Sequence, residues 1–186
     1  DDGGWYLYFS DGVPNAVFMD FRDGTKHKWI ADIGRKLTPD ESKVLSEQAK
    51  KARRLIEAER TKRANAASDN SKRLIATSSP ALPDHPYLKK KAVSPVSNLR
   101  DMDSDAIKLA LGYTPKSKGE ALQGRILIAP VMLPNGVIST CELIDESGRK
   151  SAIAGGKKAD GFWAVRPLNT DEPVILIGEG VSTCLS

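Results

Sequence analysis

The stretch Arg125–Met132 constrains this chain more than any other, because it is apolar beyond its first residue and runs into Pro134-Asn135-Gly136. Asn-Gly accepts the positive φ angles of a tight hairpin, so the strand must turn back on itself there. Val137–Ile144 then alternates in part, Glu146-Ser147-Gly148 supplies a second turn, and Arg149–Ile153 followed by Phe162–Arg166 extends the pattern. An antiparallel meander over the second half of the chain is the expectation.

The amino-terminal third has a different grammar. Trp5–Phe9, Ala16–Phe21 and Thr25–Ile30 read as three short strands, with Ser10-Asp11-Gly12, Val13-Pro14-Asn15 and Asp23-Gly24 between them. Aromatic residues Trp5, Tyr6, Tyr8, Phe18, Phe21 and Trp29 suit either a sheet core or a base-stacking surface, core being the commoner use. Thr38 with Pro39 and Glu41 forms a capping box, and Leu45, Ala49, Ala52 and Ile56 recur at helical spacing, predicting a helix from Thr38 to about Arg60. Glu57–Asn70 breaks the stripe, so the helix projects or frays there, and Lys72–Thr77 reads as a separate helical piece. Pro80, Pro83, Pro86 and Pro95 mark a linker or an ordered loop, followed by a short helix at Asp103–Leu111 capped by Ser104 or Asp103.

Composition narrows the class. With 186 residues, 40% of them apolar, the chain can bury a core, and no apolar run is long enough to span a bilayer. No signal-peptide pattern precedes Trp5, which makes a cytoplasmic location the expectation. The chain opens without Met and stops at Ser186 just after an apolar strand pattern, as a fragment cut at both ends would. Cys141 and Cys184, with His27 and His85, lack the spacing of a zinc cluster, and two free thiols are expected. Of the net charge of +4, the segment Arg35–Arg73 carries +6, from twelve basic and six acidic residues. Such a segment suits a polyphosphate partner, and it also suits a solvated helix face.

Val174-Ile175-Leu176-Ile177 is wholly apolar and ends in Gly178-Glu179-Gly180, the pattern of a strand buried on both faces that opens an α/β unit. A carboxylate at the end of such a strand can bind Mg²⁺ or move a proton; an early-helix acid favoured by the helix dipole is the simpler use. Val174–Ser186 resembles the first motif of the Toprim domain of primases, topoisomerases and some nucleases. The order of His85-Pro86-Tyr87-Leu88-Lys89-Lys90-Lys91, Arg125–Val131, Gly136, Ile144-Asp145, Gly148-Arg149-Lys150 and Gly155-Gly156-Lys157 resembles phage- and plasmid-type Toprim primases and primase-helicases. Gly4–Tyr8 and Trp29 are similar to the leader region of that group.

The resemblance implies the amino-terminal part of a DNA primase of a mobile element, making RNA primers from ribonucleotides on a single-stranded DNA template. It implies Glu179 as the catalytic and metal-binding carboxylate, with Mg²⁺ held in the full-length enzyme and not tightly by this portion, which alone is inactive. An Asp-x-Asp pair is expected downstream of Glu179, and a helicase domain or protein as a further partner. Asp101-Met102-Asp103 has that spacing but precedes a helix and reads as capping. Arg125, Arg149, Lys150, Lys157 and Lys158 in the meander, with Arg53 and Arg54 on the long helix and Arg60, Lys62 and Arg63 beyond them, are the candidate nucleic-acid contacts. The expected fold is α+β: a small sheet with a long basic helix over 1–78, a Pro-rich connection over 79–97, a β-rich subdomain over 98–170 and the start of a Toprim unit over 171–186. The competing readings are a non-catalytic nucleic-acid or replication-partner module and a Toprim nuclease or topoisomerase.

Overall fold

The computed structural model describes residues 4–20, 25–167 and 174–186. The expected turn at Asp23-Gly24 and the aromatic Phe21 lie outside the described residues. The chain is mixed α+β and divides into two compact units, Asp1–Arg60 and Thr61–Ser186. The division falls inside a helix, not at the Pro-rich stretch, and each unit is described by itself.

In the first unit β1 (Gly4–Phe9), β2 (Asn15–Asp20) and β3 (Lys26–Ile30) form an antiparallel sheet in the order β1-β2-β3. Helix α1 (Pro39–Thr77) follows. Its capping box closes as the sequence requires: Glu41 N donates to Thr38 Oγ1 at 3.2 Å, and Thr38 N donates to Glu41 Oε2 at 2.8 Å. Ala52, fully buried, and Asn15, whose amide donates to Gln48 Oε1 at 2.7 Å, tie the first part of the helix to the sheet. Alternation divides the aromatics: Trp5 and Phe9 are half-buried, whereas Tyr6, Tyr8, Phe18 and Trp29 are exposed.

The second unit begins with the rest of α1, which is one unbroken helix through Thr77, in place of a frayed end and a separate piece. The stripe does resume beyond Ile56, first in small residues and then at Leu74. Ala67, Ser71 and Leu74 are buried at helical spacing, and Ser68 Oγ donates to the Ile138 carbonyl at 2.6 Å. Then come β4 (Ser79–Pro80), α2 (Pro86–Lys91), β5 (Arg100–Asp103), α3 (Ser104–Leu111), the hairpin β6 (Lys116–Ser117) and β7 (Glu120–Ala121), β8 (Arg125–Met132), β9 (Ile138–Ile144), β10 (Lys150–Ala152) and α4 (Val181–Leu185). Asp103 caps α3, accepting from Asp105 N at 2.8 Å.

Five strands form one antiparallel sheet in the order β10-β9-β8-β5-β4. Central β8 is buried on both faces. Ile126 and Ile128 face α1 residues Ala67 and Leu74 and α3 residue Ile107, while Leu127 and Ala129 face Tyr87, Leu88, Leu99 and Val181. Burying a side chain such as Leu127 contributes about 1.5–3 kcal/mol. The Pro-rich stretch is therefore no linker: it supplies β4, α2 and much of the second core layer. Its prolines serve this placement, with Pro86 at the first turn of α2, where the missing N–H costs nothing. The turn after β8 closes with Leu133 N on the Val137 carbonyl at 2.9 Å, and Gly136 holds φ +79°. Among the described residues Phe162 continues the meander through a single bridge to Met132.

Val174–Ile177 corrects an expectation. The run is not a strand, and its side chains are exposed, Leu176 to 91% and Ile177 to 93%. A strand buried on both faces needs a neighbour on each edge and a layer on each side, and the described residues supply neither.

Candidate functional site

Glu179 lies in the bend between the apolar run and α4, and its side chain is exposed. Gly180, in extended conformation, precedes the first turn of α4, so Glu179 stands outside the helix and does not serve as an early-helix acid. What anchors this corner is α4 itself. Val181 is buried against the Leu127 and Ile144 cluster, and Tyr87 Oη pairs with Ser182 Oγ at 3.2 Å. Gly178 permits the close turn, since a Cβ there would meet Cys184 Sγ at 3.0 Å and Thr183 Cγ2 at 3.2 Å. Lys150 reaches the same corner: a Cβ on Gly180 would stand 3.1 Å from its Nζ. Among the described residues no three His, Cys, Asp or Glu side chains come together as a metal cluster, and Glu179 offers one carboxylate.

The five basic residues of the meander each meet a carboxylate. Arg125 forks onto Asp101 and reaches Asp84 at 3.1 Å; Asp101 is buried, which makes this pair part of the sheet's construction. Arg149 Nε donates to Asp145 Oδ2 at 2.7 Å and Nη1 to Glu120 at 2.7 Å. Burial pushes the Asp145 carboxyl up, but hydrogen bonds from Ser147 and Arg149 outweigh this and hold it below its ordinary value. Lys158 meets Glu142 at 2.7 Å and Lys150 meets the same carboxylate at 3.7 Å. Lys157 pairs with Asp160 at 2.8 Å. A phosphate binding here would have to displace or share these partners.

The structure thus brings Lys150 and Lys158 together on Glu142, and Lys150 near Gly180, while Arg125, Arg149 and Lys157 hold separate acids. The local signal for pairing is Asp145 four residues before Arg149 and Asp160 three after Lys157. The longer-range partners Asp84, Asp101, Glu120 and Glu142 carry no such mark.

His85 is fully buried as the cap of α2, its Nδ1 accepting from Tyr87 N at 3.2 Å. Among the described residues its Nε2 has no partner within hydrogen-bond geometry. Desolvation pushes its pKa below the ordinary value, against the attraction of Asp101. A neutral imidazole with one acceptor nitrogen is what the cap requires, and this role is structural.

Arg53 and Arg54, on α1 in the first unit, are exposed and hold no ion pair among the described residues, and the same is true of Arg60, and of Lys62 in the second unit. Arg53 borders a groove of about 330 Å³ between α1 and the β2–β3 edge, with Lys28, Trp29, Ile30, Leu45 and Lys50. Sequence reasoning places a strand here but passes over its cations: in β3 Lys26, His27, Lys28 and Trp29 are all exposed. The Lys-His-Lys-Trp alternation is the available signal. No helix among the described residues is long and apolar enough to cross a membrane. No known family, curated protein or solved structure matches the chain.

Proposed function

We propose that this chain is the amino-terminal portion of a Toprim DNA primase of a mobile element, which synthesises RNA primers on single-stranded DNA. The observation that carries the reading is the corner at 174–185. Four consecutive apolar side chains stand in water, followed by a glycine-flanked carboxylate and a short helix docked by Val181. Exposed apolar runs of this kind mark a surface awaiting a partner, and the period and composition suit the first strand of a further sheet. In this reading the sheet forms from sequence beyond Ser186, and Glu179 then sits at the strand's carboxyl end.

The reaction joins a 3′-hydroxyl to the α-phosphorus of a ribonucleoside triphosphate and releases pyrophosphate. A carboxylate placed as Glu179 would be can take the proton of the attacking hydroxyl. Mg²⁺ is implied by the resemblance; Glu179 would be a ligand to it, and the ion would offset the charge that builds on the phosphate oxygens. Ribonucleotides, template and a helicase domain are likewise parts of this reading.

Glu179→Gln in the full-length gene product is the test, read as ribonucleotide incorporation on a single-stranded template alongside a thermal melt. The charge is lost and the shape kept, so primer synthesis should fall by about two orders of magnitude or more with the melting temperature unchanged. Near-normal synthesis by the variant would reject the reading.

A further inference from the structure

The geometry points to the open face of the first unit's sheet as a binding surface for single-stranded nucleic acid, with bases stacking on Tyr6, Phe18, Trp29 and Tyr8. It shares its partner class with the primase reading and takes nothing from Glu179, so either can fail alone.

The register sets the rings in rows. Tyr6 lies opposite Phe18 and Phe18 opposite His27, giving one aromatic row across all three strands. Tyr8, Ala16 and Trp29 form the next row. Phe18 and His27 are already stacked, with centroids 5.1 Å apart and an interplanar angle of 20°. These rings are open to water, Tyr6 to 76% and Trp29 to 47%. A small sheet that leaves four large aromatic side chains uncovered while burying little else has placed them for contact. Flat rings on adjacent strands offer what unpaired bases need, because every base has a π-face.

Charge supplies the second half of the match. Edge strand β3 alternates ammonium groups with rings: Lys26 and Lys28 are exposed beside His27 and Trp29, and neither lysine holds an ion pair among the described residues. Past the same edge, Lys28 shares the groove with Arg53 and with Lys50, which pairs with Glu47 at 3.2 Å, and no carboxylate lines the groove itself. A strand whose bases lie on the rings would run its phosphates along this edge. The carboxylate-bound cations of the second unit offer no comparable track.

The experiment is fluorescence anisotropy of a labelled oligothymidine of roughly 15 nucleotides with the chain as it stands, across a salt series. Alanine at Tyr6, Phe18 or Trp29 should each weaken binding by about 5- to 100-fold, since base stacking carries that much per ring. Tyr6→Phe and Trp29→Phe, which keep a ring, should bind as the parent does, and circular dichroism of each variant reports that the fold is kept. K26Q with K28Q should lower the salt dependence. An oligouridine in the same assay tells whether the sugar matters, and binding of either strand supports the surface. Undiminished affinity in the folded alanine variants, equal affinity for a duplex, or loss of binding on Arg149→Gln and Lys158→Gln instead would overturn the inference. So would a self-associated chain that Tyr6→Ala converts to monomer, since the face would then belong to a second copy. Glu179→Gln should bind normally, which separates this test from the primase assay.

Discussion

The cations of the two units are used in opposite ways. In the second unit Arg125, Arg149, Lys150, Lys157 and Lys158 are each held by acids, and two of those acids, Asp101 and Asp145, are buried in or beside the sheet. In the first unit Lys26, Lys28, Arg53 and Arg54 stand in solvent, and Lys28 and Arg53 share a groove with the exposed Trp29. Net charge does not reveal the difference. A positive residue becomes available to a phosphate only when the fold has not already supplied a nearer anion.

The contrast breaks most sharply at Arg125. Arg125→Ala leaves Asp101 buried without its partner, and the expected cost is about 2–4 kcal/mol, less than for a fully buried pair because one side of the arginine meets water. Urea melts would read it. Single-strand binding by the variant, measured under folding conditions, should stay within about two-fold of the parent, since a residue that already holds a carboxylate has little charge to offer. The paired opposite is Arg53→Gln with Arg54→Gln. Here the melt should be unchanged, and the slope of log affinity against log salt should drop by about 0.7 for each phosphate that is no longer neutralised. If Arg125→Ala abolished binding with stability intact, the two units would have to exchange roles.

Much of the architecture is legible in the order of residues alone. The three strands, the capping box at Thr38, the Asn135-Gly136 turn and the Asp103 cap are all written in short-range chemistry, where neighbours in sequence are also neighbours in space. What is not legible depends on distant partners. Ala67 and Ser71 do not look like a core stripe until β8 and β9 are set beneath them, so the apolar pattern of α1 stops short of the helix itself. Pro80–Pro95 has the composition of a connection because its burying partners, Leu127 and Ile144, come far later in the chain. Val174–Ile177 has a strand's composition, yet composition cannot supply the neighbouring strands. The same holds for the site. Glu179 stands out by its glycines, whereas the aromatic face needs the register of three strands, and the ion pairs of Arg125 and Arg149 need the sheet.

His85 offers an intermediate effect confined to the second unit. Its folded pKa lies below the ordinary value near 6.5 because burial disfavours the cation, so between the two values the unfolded chain binds a proton that the native one does not. Stability contributed by the neutral cap is complete above the unfolded pKa, falls as pH drops through it, and stops falling below the folded pKa. His85→Asn keeps an acceptor for the Tyr87 amide and cannot titrate in this range. The variant's stability curve should therefore lose its slope below about pH 6.5, whatever its absolute stability. A variant with the parent's slope would place the proton on a group other than His85.

The smallest effect belongs to one of the first unit's ion pairs, which include Arg35 with Glu41 and Lys50 with Glu47. Arg35 pairs with Glu41 at 2.6 Å, and the same carboxylate accepts from Thr38 N. The Arg35 hydrogen bond first, then the Thr38 amide, holds the Glu41 carboxyl down at about 2, against an ordinary value of 4.5. A depressed carboxyl contributes stability that is full above its unfolded pKa and is lost as pH falls toward 2. Because both partners lie in solvent, the contribution is small and screened by salt, and it is confined to the first turn of α1. Carbon-detected titration of the Glu41 carboxyl would read it directly. Arg35→Gln should return the midpoint most of the way toward the ordinary value, and molar salt should do part of the same. Loss at Glu41 begins only below its ordinary value of 4.5, whereas loss at His85 begins near 6.5, so the two units should start to lose stability at different acidities. A Glu41 midpoint already near its ordinary value in the parent would mean that Arg35 is as free as Arg53, and the first unit would then hold one more cation ready for phosphate.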